Sequence, residues 1–277
     1  SEMCIRDRGS FVLLLLVLVA AVLTVGVLVF LVGYILIRGI PYLKPSLFAW
    51  TYNSDNVSML PAMINTLFMT VLALVLSVPF GVGAAIYLVE YAKKGNKLVG
   101  LIRVTAETLS GIPSIIYGLF GMLFFVTALK WGYSMMAGAA TLAIMVLPVI
   151  MRTTEEALLC VPDSFREGSF GLGAGKLRTI FKIVLPSAIP GILSGIILAI
   201  GRIVGETAAL IYTSGTVANL AGFFDSGRTL AIHMYSLSRE GMHTNEAYAT
   251  AVVLLIVVLI INGVSSLIAK KFEAPKQ

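Results

Sequence analysis

The stretch that decides the fold runs from Arg166 to Pro186 and reads REGSFGLGAGKLRTIFKIVLP. It is a polar segment between two very apolar ones. Pro162 ends the structure before it, because proline breaks a continuing helix. Ser164 and Glu167 form an S-x-x-E capping box, which predicts that a short helix starts there. The segment therefore predicts a helical loop between apolar helices.

The same segment also predicts where that helix ends. Gly173 suits a C-cap with positive φ, so we expect about two helical turns over Phe165–Leu172. We predict a second helix from about Lys176 that stops at Pro186. The apolar contacts of the first helix would be Phe165, Phe170 and Leu172.

The run GLGAGK at Gly171–Lys176 is not a nucleotide-binding loop. A Walker A loop requires G-x-x-x-x-G-K-[ST]. Here Phe170 occupies the first glycine position, Leu177 occupies the Ser/Thr position, and no strand precedes the run. We therefore exclude nucleotide binding by this chain.

The composition indicates a membrane protein. The chain is 58% hydrophobic and 12% charged, which is about half the charged fraction of a soluble domain. Apolar runs of about 20 residues predict transmembrane helices, and because the runs are continuous and do not alternate, helices are favoured over a β-barrel. The net charge of +6 fits a cytoplasmic-loop bias, not nucleic-acid binding. We predict an all-α polytopic protein.

Six spans are predicted. The octet SEMCIRDR resembles translated sequencing adapter, so residues 1–10 are treated as a doubtful or non-native N-terminal segment and Ser1 is not taken as the native start. The membrane domain would then cover residues 11–270, with a cytoplasmic loop at 152–187 and a cytoplasmic tail at 271–277. The spans are Phe11–Ile37, Leu60–Val89, Ala106–Leu129, Ser134–Met151, Ala188–Thr213 and Ala247–Ala269.

Charge predicts the orientation. With the N-terminus inside, 14 of the 20 lysines and arginines lie in cytoplasmic segments and five in outer ones, with Arg202 inside a span. The positive-inside rule then places both termini and the Glu167 loop in the cytoplasm. The longest outer stretch, Ser214–Glu246, contains both histidines. His233 and His243 are expected to be solvated, since their spacing matches no common metal pattern.

Two charges lie within the fifth predicted span. Arg202 and Glu206 are four residues apart, so they would share one helix face. Charges at that depth usually face a bundle interior or a water-filled cavity, and a guanidinium offers a fork of donors that suits an oxyanion. Glu206 would hold the arginine or accept from a protonated phosphate oxygen. A purely structural ion pair remains the alternative.

Two other spans carry polar candidates. Pro113 in the third span removes a backbone hydrogen bond, and Gly111, Gly118 and Gly121 favour close packing or a break. Ser114 and Tyr117 are candidate lining groups, with simple helix packing as the alternative. In the second span, the strip Asn65, Thr66 and Thr70 is typical of hydrogen bonding between helices.

The Arg166–Pro186 segment fits the pattern E-A-A, three residues, Gly, nine residues, I-x-L-P. The matching residues are Glu167, Gly168, Ser169, Gly173, Ile183, Leu185 and Pro186. This resembles the coupling loop of bacterial ABC importer permeases, although the family prefers alanine where Gly168 stands. The phrases GIPSIIYGLFG, TTEEAL and GRIVGETAAL extend the resemblance over roughly residues 11–270. They resemble the A subunit of phosphate ABC permeases, which have a type I importer fold.

The resemblance implies an ATP-driven phosphate importer of the bacterial inner membrane. This chain would be a non-catalytic half of the pathway, with Ser164, Phe165 and the loop positions above contacting an ATPase. Its partners would be a homologous C-type permease, two ATPase subunits that bind Mg-ATP, an extracytoplasmic phosphate-binding protein and inorganic phosphate. The chain itself would bind no cofactor, metal or nucleic acid. Arg202 and Glu206 would serve phosphate passage.

Other functions remain open at this point. The main rival within transport is a permease for molybdate, sulfate or phosphonate. A membrane enzyme acting on lipid phosphates would need acidic or histidine clusters. The pair Glu155–Glu156 occupies consecutive positions that do not face each other. A channel would have no need of an ATPase contact.

Overall fold

The computed structural model describes residues 2–93 and 95–272. All regular secondary structure in this part of the chain is helical. The α-helices are α1 Glu2–Gly39, α2 Leu60–Ile86, α3 Lys97–Ser110, α4 Ser114–Gly121, α5 Met135–Leu159, α6 Asp163–Gly171, α7 Lys176–Thr179, α8 Leu185–Val204, α9 Ala208–Ile211, α10 Leu230–Glu240 and α11 Thr244–Phe272. The predicted tail beyond Phe272 lies outside the described residues.

Three π-helical segments extend these helices. They follow α2 at Tyr87–Tyr91, follow α4 at Met122–Ala128 and precede α8 at Ile180–Val184. Two short 3₁₀ turns, Ile40–Tyr42 and Pro45–Phe48, lie between α1 and α2. Five helical stretches of the described residues are long and apolar enough to cross a membrane, and α3 with α4 forms a sixth as a bent pair.

The core lies where α2, α5 and α8 pack together. Met69, Met145 and Ile203 are almost fully buried there. Gly191 and Gly195 of α8 allow the close approach to α5, because a Cβ at either position would collide with Ala157 or Thr153. Small residues at helix interfaces serve this purpose in membranes. α1 lies apart, highly exposed, and packs mainly on α11.

The third span differs from a straight helix. α3 and α4 meet at an angle of 101° around Gly111–Pro113. Pro113 explains the break, since it provides no N–H for a continuing helix. Close packing is also confirmed, because a Cβ on Gly118 would lie 2.7 Å from the Cα of Ala209. The predicted span Ala106–Leu129 is therefore a bent pair of helices, not one straight helix, and the predicted break is confirmed.

The fifth span begins and ends earlier than predicted. One continuous helical stretch runs from Lys176 to Val204, whereas Ala188–Thr213 was expected. Gly205 ends it, and α9 follows as a separate turn. We call the end of the bundle that carries α6 the α6 end. α2 and α5 finish there, while α10 and the segment between α9 and α10 lie at the opposite end.

Candidate functional site

The start of α6 differs from the capping box predicted. The helix begins at Asp163, directly after Pro162, and no side chain caps its first turn. Ser164 is already helical, so it cannot serve as the N-cap. Ser164 and Glu167 are both exposed. The reason is that Pro162, with φ −58° and ψ 139°, directs the chain into the helix earlier than the serine does.

The end of α6 confirms the role predicted for Gly173. Its φ is +79°, and its N–H donates to the carbonyl of Phe170 at 2.9 Å. The N–H of Ala174 donates to the carbonyl of Ser169 at 3.1 Å. These two bonds form a Schellman motif, which satisfies the last carbonyls of the helix. A glycine is favoured because its backbone is left-handed.

The segment after α6 folds back against it. Ser169 is buried, and its hydroxyl lies 2.8 Å from that of Thr179. The helix from Lys176 does not stop at Pro186, so that prediction is wrong. The π-helical turn Ile180–Val184 precedes the proline and changes the hydrogen-bonding pattern there. Pro186 then occupies the first turn of α8, where a missing N–H is tolerated.

The α6 segment exposes several apolar side chains. Phe165 is 50% exposed, Phe170 48% and Leu172 91%. A Cβ at Gly168 would meet nothing within 4 Å. Ile183 and Leu185 are half-buried, and Pro186 is exposed. Apolar side chains clustered on a polar loop are typical of a contact surface for another protein.

Sequence reasoning missed the residue that holds α6 to the bundle. Arg166 donates from Nε and Nη2 to Oε1 of Glu90 at 3.1 and 2.8 Å. Its Nη1 lies 3.2 Å from Oδ1 of Asp163. Glu90 is 76 positions away in the chain, so no local pattern points to this pair.

Arg202 and Glu206 do not share one helix. α8 ends at Val204, so Glu206 lies in the break before α9, and the expectation of a common helix face is wrong. Glu206 is buried, and its Oε1 accepts from the N–H of Ala209 at 3.0 Å. Arg202 is half-buried. In the described residues the ion pairs within 4.0 Å do not include Arg202.

Two cavities lie on either side of this break along the chain. The first, of about 510 Å³, lies towards the α6 end and reaches Leu198, one turn before Arg202. The second, of about 600 Å³, includes Thr207, next to Glu206, and extends to α10 and α11. Arg202 and Glu206 line neither cavity and lie along the chain between residues that do.

The cavity near the α6 end is lined with charge. Arg103 pairs with the buried Glu155, and Arg152 pairs with Glu156 at 3.1 Å and Glu107 at 3.8 Å. Glu155 and Glu156 thus have separate partners, as their consecutive positions predicted. The ion pairs join α3 to α5 beside the break in the third span.

The other predicted lining groups lie at that break. Ser114 is the first residue of α4 and is half-buried. Tyr117 is buried, and its hydroxyl donates to the carbonyl of Leu109 at 2.7 Å. It thereby joins the two arms of the bent pair. In the polar strip of α2, Asn65 donates to the carbonyl of Asn219 in the segment before α10 at 2.9 Å. Thr66 accepts from the N–H of Leu230, the first residue of α10, at 2.8 Å, so the predicted hydrogen bonding between helices is confirmed there.

The histidines behave differently from each other. His233 is fully buried in α10, so the expectation of a solvated residue is wrong. Burial lowers the pKa of His233 to about 3, and the nearby Arg228 guanidinium acts in the same direction. His233 packs against the ring of Tyr52, which also lies under Arg228 at 4.5 Å. His243 is half-buried, and its Nδ1 lies 3.8 Å from Oε2 of Glu246.

Comparison with known proteins identifies the family. The model of the family described as binding-protein-dependent transport system inner membrane component matches residues 77–274. This range contains α6, the charged cavity and the Arg202–Glu206 segment. It covers more than half of the chain.

Curated relatives cover most of the chain as well. A probable ABC transporter permease protein, YqgI of Bacillus subtilis, is 34% identical over 92% of this chain and 94% of its own. The phosphate transport system permease protein PstA of Yersinia pestis is 37% identical over 72% of this chain and 68% of its own. PstA 1 of Mycobacterium tuberculosis is 37% identical over 75% and 69%.

Solved structures show the same fold. A chain of a bacterial ABC transporter involved in the import of alginate has a TM-score of 0.70 at 15% identity, covering 93% of this chain and 96% of its own. A chain of the MetNI methionine ABC transporter has a TM-score of 0.61 at 21% identity, covering 77% and 94%. With the family match and the membrane helices, these findings show that the chain belongs to the inner-membrane permease components of binding-protein-dependent ABC importers.

Proposed function

We propose that this chain forms half of the translocation pathway of an ATP-driven phosphate importer. The observation that carries the proposal is an arginine and a glutamate at the break between two cavities, in a chain with relatives named phosphate transport permeases. Phosphate as the substrate is the finer part of the proposal, because a relative that matches 92% of this chain is named only as a probable ABC transporter permease.

Arg202 would bind the anion. A guanidinium presents several N–H donors in one plane, which match two oxygens of a phosphate. An arginine held by a carboxylate would be less available, and Arg202 is not among the ion pairs of the described residues. Glu206 would limit how tightly the anion is held, since a nearby carboxylate repels it.

Ser114 and Tyr117 would shape the pathway at the break of the third span. Ser114 begins α4, so the unpaired N–H groups of that first turn face the same region as its hydroxyl. Tyr117 would act through the backbone, since its hydroxyl is bonded to Leu109. The positions of Ser114 and Tyr117 support a phosphate pathway next to the Gly111–Pro113 break.

The exposed face of α6 would contact the ATPase. Phe165, Phe170 and Leu172 offer apolar side chains, and the Schellman turn at Gly173 fixes the direction of the following helix. Glu167, Gly168 and Ser169 on α6, with Ile183, Leu185 and Pro186 beyond it, would complete the contact. Mg-ATP would bind to the ATPase pair alone, and its binding and hydrolysis would move α6.

The orientation and assembly complete the proposal. The α6 end would face the cytoplasm together with both chain ends, as the excess of lysine and arginine there supports. The complex would contain a homologous C-type permease, two ATPase subunits and an extracytoplasmic phosphate-binding protein. It would lie in the bacterial inner membrane.

Labelled phosphate uptake tests the substrate. Vesicles would contain this chain with its neighbouring permease, ATPase and binding protein, and unlabelled sulfate, molybdate or phosphonate would compete. We expect ATP-driven uptake that only phosphate blocks. Uptake of a different oxyanion would support the role as an importer and refute phosphate as its substrate.

Variants then test the site. Arg202→Ala is expected to abolish uptake while the ATPase stays bound, and Arg202→Lys should restore only part of it, because an ammonium lacks the planar fork. Normal uptake by Arg202→Ala would contradict the role proposed. Changes at Glu167 or Gly173 should instead weaken ATPase binding or its coupling to uptake.

A further inference from the structure

Arg166 and Glu90 form the most enclosed ion pair of the described residues. The Arg166 side chain is 15% exposed and that of Glu90 is 9% exposed. Two nitrogens of the guanidinium reach the same carboxylate oxygen, at 2.8 and 3.1 Å. An enclosed pair of this kind is costly to break, because either partner alone would leave a buried charge.

The same guanidinium also binds the end of α5. Nη2 donates to the carbonyl of Leu158 at 3.0 Å, and Nη1 donates to the carbonyl of Val161 at 2.7 Å. Leu158 lies in the last turn of α5, and Val161 follows the end of that helix. One side chain on α6 therefore holds the ends of both α2 and α5.

Chain connectivity distinguishes these two neighbours. α6 is joined to α5 by Cys160–Pro162 and to the helix of α8 by Leu172–Gly175. Movement of α6 would reach both through the backbone. α2 has no such connection, and Glu90 is 76 positions from Arg166. Movement of α6 must therefore reach α2 through contacts between side chains, including the packing of α2 on α5. The ammonium group of Lys176, 4.8 Å from the centre of the Tyr91 ring, adds a weaker contact.

We infer that Arg166 is the positioning residue through which movement of α6 is transmitted to α2. The inference rests on the docking role proposed for α6. The exposed side chains of the α6 segment receive the ATPase, while Arg166 enters the bundle. When α6 moves, the enclosed pair holds Glu90 to it, and α2 moves as a unit with α5.

A distance measurement between spin labels tests this directly. Labels on Val71→Cys of α2 and Leu259→Cys of α11 use side chains that are 60% and 63% exposed, in a chain whose Cys4 and Cys160 are replaced by serine. The complete complex would be compared without nucleotide and trapped with ATP and vanadate. α11 is a suitable reference because it packs mainly on α1, α8 and α10.

The variants are Arg166→Gln, Glu90→Ala and the two combined. The matched control is Asp163→Asn, because Asp163 contacts the same guanidinium but is 85% exposed. We expect ATP trapping to shift the distance in the wild type and in the control. Arg166→Gln and Glu90→Ala should each lose this change in distance, and the double variant should lose no more than either single variant. Arg166→Lys should keep part of the change. The ATPase should stay bound throughout.

Three results would overturn the inference. They are an unchanged shift in the variants, no shift in the wild type, or release of the ATPase by Arg166→Gln or Arg166→Lys, which would make Arg166 part of the dock itself. The distance measurement needs no transported substrate. Failure of phosphate uptake would therefore refute only the proposal that phosphate is the substrate. A wild-type chain that does not retain the ATPase would refute the docking role of α6.

Discussion

The hydroxyl of Tyr117 donates to the carbonyl oxygen of Leu109 at 2.7 Å and so joins the two arms of the bent third span. Leu109 lies in the last turn of α3, and its carbonyl also accepts from the N–H of Ile112 at 3.1 Å. Tyr117 supplies a second donor from the next helix. The break at Gly111–Pro113 is therefore held in one geometry.

Tyr117→Phe should loosen this break. Removing the hydroxyl leaves the Leu109 carbonyl with the Ile112 N–H alone, and the lost hydrogen bond contributes about 1 kcal/mol. We expect faster hydrogen exchange at Gly111 and Ile112 and a lower unfolding midpoint in detergent. Tyr133→Phe is the control, because Tyr133 is exposed. An unchanged exchange rate would show that Pro113 alone holds the bend.

Gly168→Ala should stabilise α6. Alanine favours a helix over glycine by about 1 kcal/mol, and the new methyl group would meet nothing within 4 Å. Gly173→Ala should have the opposite effect of about 1–2 kcal/mol, because its φ of +79° suits glycine. Limited proteolysis of the α6 segment would rank the three proteins. Equal protection of both variants would contradict the helix end assigned to Gly173.

Asn65→Ala should free the segment between α9 and α10. The amide donates to Asn219 and Arg228 and accepts from Ala221, so its loss should cost about 2–4 kcal/mol. Thr70→Val is a suitable control, because the Thr70 hydroxyl donates only to its own helix at Thr66. Proteolysis within Asn219–Arg228 should accelerate in the first variant. Similar rates in both would show that the segment is held by other contacts.

Stability should fall in acid because of His233. Its pKa is about 3 when folded, against 6.5 when unfolded. The unfolded chain therefore binds a proton that the folded chain does not between these values. Above pH 6.5 the group has no effect, and below it stability should fall by up to about 1.4 kcal/mol per pH unit. Urea unfolding at pH 7, 6 and 5 would measure the slope.

His233→Asn provides the comparison for that slope. Asparagine is neutral throughout, so the variant should be less stable at pH 7 but flatter across the same pH range. If His233→Asn shows the same dependence of the free energy of unfolding on pH as the wild type, groups other than His233 cause the acid sensitivity.

The membrane helices could be predicted from composition, because an unbroken apolar run has few alternatives in a bilayer. Helix ends were harder. Pro186 would stop an ordinary helix, yet the π-helical turn Ile180–Val184 allows it to continue. Gly205, by contrast, ends α8 inside an apolar run. Such ends depend on packing, which local patterns do not contain.

In the candidate site, too, features set by local sequence could be predicted, and features set by contacts between distant segments could not. Gly173 follows from local backbone chemistry, and its role was predicted. The Arg166–Glu90 pair and the burial of His233 depend on contacts between distant segments. The separation of Glu206 from the helix that carries Arg202 depends on a break that no periodicity shows.

The bend in the third span also alters the electrostatic barrier to an anion. Beyond Pro113 the helical arm runs from Ser114 to Ala128, about 22 Å at 1.5 Å per residue, whereas the hydrocarbon layer is about 30 Å thick. The remaining depth lies beside the charged cavity of α3 and α5. On the proposed phosphate pathway, an anion would then cross a thinner low-dielectric layer than the bilayer itself, which would lower the desolvation energy that each transport cycle must supply.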